Sequence, residues 1–85
     1  MEIQPGTIVR AKAGRENGRF FLVLCVEAET AYIADGSTRR IEKPKKKKLI
    51  HLAATRQSAQ TQGLTNEELS RRLAVLNGET DREKA

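Results

Sequence analysis

The chain has 85 residues, enough for one small domain and too few to enclose a sizeable substrate cavity. Apolar residues make up 38% and aromatics 4%, so the core has to be built mainly from aliphatic side chains. The formal net charge of +5 favours an anionic partner, and the charge is uneven: residues 1–56 carry twelve Lys/Arg against six Asp/Glu, residues 57–85 four against five.

Pro5-Gly6 is a turn signal that opens the domain. Thr7 to Lys12 then reads as a strand, with Val9 and Ala11 inward and Arg10 and Lys12 outward. Ala13 to Gly18 is a loop in which Asn17-Gly18 supplies the positive φ that a turn between antiparallel strands needs. Arg19 to Glu27 is the strongest strand signal and is apolar on both parities, which predicts a central strand covered on both faces for part of its length. Cys25, the single cysteine, excludes an internal disulfide and reads as a small buried hydrophobe of an intracellular chain. Ala28-Glu29 marks a turn, Thr30 to Ala34 a short third strand, and Asp35-Gly36 another hairpin. Arg39 to Lys43 reads as a fourth strand with Ile41 as its core candidate, Pro44 as an edge residue, and Leu49 to Leu52 as a fifth strand. Five short strands at this spacing predict a mainly β fold, a partly open, SH3-like small barrel.

Residues 53–63 lack hydrophobic periodicity and read as a linker. Thr65-Asn66-Glu67-Glu68 is a capping box, flanked by Leu64 and Leu69 at staple positions. Leu69, Leu73 and Leu76 form one stripe, Glu67–Arg71 and Glu68–Arg72 are i,i+4 pairs, and Asn77-Gly78 is a stop signal. The spacing predicts an α-helix over 66–76 with Thr65 as N-cap. The resulting organisation is a basic barrel over 1–55, a polar linker over 56–64, an amphipathic helix over 65–78 and a charged tail over 79–85. On this division the barrel is expected to fold and bind without residues 57–85. The leucine stripe either folds against the barrel or is presented to a protein partner.

The N-terminal residues show no basic segment followed by an apolar one, so no signal peptide is expected there. The longest apolar run, Phe20 to Val26, is far short of a membrane span. No Walker loop, carboxylate pair or nucleophile elbow is present, and His51, the only histidine, lacks partners for a metal or general-base role. The expectation is therefore a protein that is not an enzyme, with no catalytic residues, no metal and no cofactor.

Thr7-Ile8-Val9-Arg10, Gly14-Arg15-Glu16-Asn17-Gly18-Arg19 and the run Phe20 to Val26 resemble the KOW motif at the start of SH3-like barrels in ribosomal proteins and transcription factors. With Tyr32-Ile33-Ala34-Asp35-Gly36, Arg39-Arg40-Ile41, Lys43-Pro44-Lys45-Lys46-Lys47-Lys48 and His51-Leu52, residues 5 to 55 resemble small bacterial KOW-domain RNA-binding proteins. These are related to the archaeal and eukaryotic large-subunit ribosomal family called "fourteen-e". The family usually carries more basic character where this chain has Glu16-Asn17. The resemblance implies RNA, ribosomal RNA foremost, as the partner of a monomeric cytoplasmic protein.

The RNA-binding residues implied are Arg10, Lys12, Arg15, Asn17, Gly18 and Arg19 around the first loop, then Arg39, Arg40, Lys43, the run Lys45, Lys46, Lys47 and Lys48, and His51. Lysines and arginines neutralise phosphates, and glycines let the nucleic acid approach the backbone. Tyr32 is either a stacking platform for a base or a packing residue. The competing reading is a protein-interaction adaptor of the transcription or translation machinery that docks through the open barrel edge or through Leu69, Leu73 and Leu76.

Overall fold

A computed structural model describes residues 2–78, so the expected charged tail over 79–85 lies outside the described residues. The elements are β1 (Thr7–Ala11), β2 (Phe20–Glu27), β3 (Thr30–Ala34), β4 (Lys45–Lys48), a single 3₁₀ turn (Leu49–His51), β5 (Leu52–Ser58) and α1 (Asn66–Leu76). The five strands form one antiparallel sheet in the order β4-β3-β2-β1-β5. The protein is a mainly β small domain with one C-terminal helix, and no ladder joins the edge strands β4 and β5.

Both parities of β2 are used. Phe21 and Val23 join Val9, Ala11, Ala31, Ile33 and Leu52 in a cluster on the inner face. Leu22 joins Ile8, Ala34, Leu69 and Leu73 on the outer face, beneath α1. The expected central strand is thus buried on both faces over Phe21–Val23, which are fully inaccessible. The sheet is curled. Four inter-strand spacings would put the edges of a flat five-stranded sheet roughly 19 Å apart. The three-residue 3₁₀ turn carries the chain from β4 to β5, and at about 2 Å per residue it advances less than half that distance.

Four expectations about local structure are corrected. Arg39–Lys43 is not a strand. The carboxylate of Asp35, 2% exposed, accepts from the amides of Ser37 and Arg39 and from Thr38 Oγ1, which folds residues 35–39 into a tight loop, and the Lys43 amide then closes a turn on the Arg40 carbonyl. The strand instead is Lys45–Lys48, which pairs with β3 from Ile33↔Lys45 to Thr30↔Lys48. Leu49–His51 turns rather than extends, and the expected linker begins with β5, whose ladder satisfies the open edge of β1. Because β5 runs to Ser58, the sheet crosses the expected barrel boundary at residue 55.

Cys25 is exposed rather than buried. The β2–β3 register slips between Val23 and Cys25, a bulge at Leu24. One extra residue reverses the parity beyond it. Val26 therefore returns to the inner cluster, and Cys25 is turned out.

Helix α1 forms as expected, with Thr65 Oγ1 accepting from the Glu68 amide and the Glu68 carboxylate accepting from the Thr65 amide. Leu69 and Leu73 are buried against the sheet and Leu76 packs beside them. Neither expected i,i+4 ion pair is among the contacts of the described residues; in the second, Glu68 is engaged in the capping box and Arg72 donates to the Ser58 carbonyl at 3.1 Å. Two asparagines fix the helix ends. Asn66 Oδ1 accepts from the Ile41 amide at 2.7 Å, and Asn77 Oδ1 accepts from the Phe20 amide at 2.8 Å. Gly36, with φ +84°, makes the close approach possible. A Cβ there would collide with the carbonyl oxygen of Asn66 and stand 2.7 Å from the Ser70 nitrogen.

Candidate nucleic-acid interface

The β1–β2 loop is held by its own backbone. The Ala11 amide donates to the Arg19 carbonyl and the Gly18 amide to the Ala11 carbonyl, at 2.9 and 2.8 Å. Gly18 has φ +93°, as the Asn-Gly signal predicts. This geometry projects Glu16, the one acid between Arg10 and Arg19, towards the far edge of the sheet.

Glu16 is the hub of the basic cluster. Its carboxylate accepts from Arg39 Nη2 at 2.9 Å and lies 3.4 Å from Lys47 Nζ and 3.7 Å from Lys45 Nζ. Lys47 also donates to the Ala13 carbonyl at 3.0 Å. Gly14 leaves the space, since a Cβ there would stand 3.2 Å from Lys47 Nζ. The Arg39 guanidinium foremost, then the two lysines, outweigh partial burial and hold the Glu16 carboxyl down at about 2, against an ordinary 4.5. One carboxylate of the first loop thus ties together three cations of the distant 39–47 stretch.

The lysine run therefore has two faces. Lys45 and Lys47 register with Ile33 and Ala31, which face the inner core, and both turn to Glu16. The Lys47 side chain is only 9% exposed. Lys46 and Lys48 register with Tyr32 and Thr30 on the outer face, are exposed, and make no ion pair among the described residues.

The remaining expected site residues are dispersed. Arg15, Asn17 and Gly18 are exposed at the loop and Arg19 is half-buried beside them. Lys12 is exposed, with its amide bonded to the carbonyl of the half-buried His51 at 2.8 Å. Exposed Arg10 stands on β1 between Phe20 of β2 and Ala53 of β5, with β2 and β3 separating it from the lysine strand. Exposed Arg40 makes a loose pair with exposed Glu42 at 3.8 Å, and Lys43 is exposed beyond it. The Glu42 carboxyl is held below its ordinary value, first by the Asn66 amide and least by Arg40. The expected basic surface is thus divided between a paired knot, in which Arg39, Lys45 and Lys47 share the one carboxylate of Glu16, and the exposed cations of the first loop, the Arg40–Lys43 loop and the outer parity of β4.

Sequence reasoning missed Glu16 as an organiser. Its only signal is a single acid inside a basic loop. The alternative use of the leucine stripe meets a direct obstacle: Leu69 and Leu73 are at most 1% exposed, covered by the protein's own sheet. No helix among the described residues is long and apolar enough to cross a membrane. No protein-family model and no curated protein matches this sequence.

Proposed function

We propose that this protein is an RNA-binding module, a partly open SH3-like barrel of the KOW kind, which associates with ribosomal RNA or the assembling ribosome by neutralising phosphates. It acts as a cytoplasmic monomer, uses no cofactor and does no covalent chemistry. The observation that carries the reading is the outer parity of β4, where Lys46 and Lys48 are exposed and pair with no anion among the described residues, on a strand anchored from its other parity by Glu16. Anchoring the strand fixes the backbone that carries the two lysines, so that only their side chains have to be ordered when they meet a phosphate. Arg15, Lys12, Arg40 and Lys43 extend the field at the loops. The barrel reading is supported by the curl that the short 3₁₀ turn imposes and by the Glu16 contacts, which connect the β4 edge to the β1–β2 loop.

The test is the salt dependence of binding to labelled ribosomal RNA fragments. Each released counterion contributes a slope of roughly −0.7 to −0.9 in log affinity against log salt. A slope of about −3 or steeper is the expected result. A flat plot, or no association at low salt, would refute phosphate-driven binding.

A further inference from the structure

Tyr32, half-buried, stands on the part of the outer face that lies outside the cluster covered by α1. In register across three strands stand Cys25 of β2, Tyr32 of β3 and Lys46 of β4, and the next row holds Glu27, Thr30 and Lys48. The bulge at Leu24 turns Cys25 outward, so that a small side chain, rather than a bulky one, borders the ring. Tyr32 belongs to neither core cluster. Its hydroxyl donates to Glu27 Oε1 at 3.2 Å, which tethers the ring tip towards the β2 side. The charges on either side of the ring are opposite: the Glu27 carboxylate on β2, the Lys46 and Lys48 ammonium groups on β4.

We infer that this patch binds single-stranded RNA, with a base stacked on Tyr32 and successive phosphates on Lys46 and Lys48. The inference rests on the RNA-binding reading and deepens it by naming the strandedness and the contact. The geometry sets the direction. Glu27 repels a phosphate, so the sugar–phosphate chain follows the β4 edge and the bases lie over β3. Lys46 and Lys48 are two residues apart on one face of a strand, about 6.7 Å, a spacing that lets two neighbouring phosphates be met at once. A duplex keeps its bases stacked inside and cannot offer one to the ring. Stacking of this kind tolerates any base, because every base has a π-face.

The chain has one tyrosine and no tryptophan, so tyrosine emission reports Tyr32 alone. The experiment titrates the full chain with an oligouridylate of about eight nucleotides, and with an RNA duplex of the same length. End-labelled versions of both follow binding independently by anisotropy. The expected result is strong quenching by the single strand and little by the duplex. Tyr32→Phe should bind the labelled single strand nearly as well as the wild type, and Tyr32→Leu roughly tenfold more weakly. Lys46→Gln with Lys48→Gln should weaken binding and flatten its salt slope by about 1.5. If the labelled single strand binds and emission is unchanged, the stacking site is wrong while phosphate-driven binding stands. Equal quenching by duplex and single strand also overturns it. If neither RNA binds at low salt, the RNA-binding reading falls and this inference falls with it. The quenching measurement needs no variant, so a misfolded substitution cannot obscure the result.

Discussion

The two faces of this sheet begin with similar apolar material and are covered in different ways. On the inner face, Val9, Ala11, Phe21, Val23, Ala31 and Ile33 are covered by the curl of the sheet itself, with Leu52 arriving from β5. On the outer face, Ile8, Leu22 and Ala34 depend on α1, more than 30 residues away in sequence. The helix covers only one end of that face. Beyond it stand Cys25, Tyr32, Lys46 and Lys48. The lesson is that one sheet supplies both a self-covered core and an open, charged surface. What separates them is how far an 11-residue helix reaches.

The comparison is broken most severely by undocking the helix. Gly36→Ala adds a methyl group against the α1 backbone at a residue already at positive φ. Overpacking and left-handed strain together should cost about 2–4 kcal/mol, read as a drop in denaturant midpoint. Gly18 provides the control, since it also has positive φ but a Cβ there meets nothing within 4 Å. Gly18→Ala should lose only about 1 kcal/mol. Equal losses at the two sites would mean that helix contact contributes nothing at Gly36. For the same reason, removing residues 57–85 should not leave an intact domain, contrary to the organisation expected from the sequence. The cut takes the last two residues of β5 and exposes Ile8, Leu22 and Ala34.

On the inner rim the sharpest probe is Glu16→Gln, which leaves the nearly buried Lys47 ammonium without its anion. The folded-state carboxyl is depressed to about 2 from an ordinary 4.5. Its contribution is therefore fully present above the unfolded value and is lost as pH falls from about 4.5 towards 2. Allowing for solvent screening, the variant should be less stable by about 2 kcal/mol at neutral pH. The gap to the wild type should close through that acid window. A constant gap from neutral pH down to pH about 2 would show that the loss comes from packing rather than charge.

The two parities of the lysine run bring the comparison into a single strand. Lys46→Gln with Lys48→Gln should leave the melting temperature unchanged and weaken RNA binding roughly tenfold, since two phosphate contacts are lost. Lys45→Gln with Lys47→Gln should instead lower stability and change the salt slope less, because both lysines already face Glu16. A reversed pattern would put the RNA on the inner rim. The smallest effect is expected at the helix start. Thr65→Ala removes the hydroxyl that accepts the Glu68 amide, and should cost about 1 kcal/mol in denaturant unfolding while leaving RNA affinity intact.

Much of this was legible from residue order. The capping box, the Asn-Gly turn and the doubly apolar stretch of β2 are local signals, each set by contacts within a few residues, and all three appear where expected. The lysine run gave no strand signal, because four consecutive like charges show neither apolar alternation nor β-branched character. A strand needs only backbone partners, and β3 provides them. Arg39–Lys43 misled in the other direction, because its amides are taken before a ladder can form: Arg39 by the buried carboxylate of Asp35, Ile41 by Asn66 Oδ1 and Lys43 by the Arg40 carbonyl.

The candidate interface was legible in residue type and not in grouping. Sequence identifies the cations. It does not show that Glu16 will take three of them, since that depends on the first loop meeting Arg39 and the fourth strand, 23 to 31 residues later. Nor does it show that a single extra residue at Leu24 turns Cys25 out beside Tyr32. The sequence by itself determined the helix and its cap, the turn glycines, the central strand and the basic character of the first two-thirds, because these follow from local sterics, short-range hydrogen bonds and composition. Tertiary structure alone decided which strand pairs with which, which lysines are paired with Glu16 and which stay exposed. Those outcomes depend on register and on contacts between distant segments, where a one-residue shift exchanges the two faces of a strand.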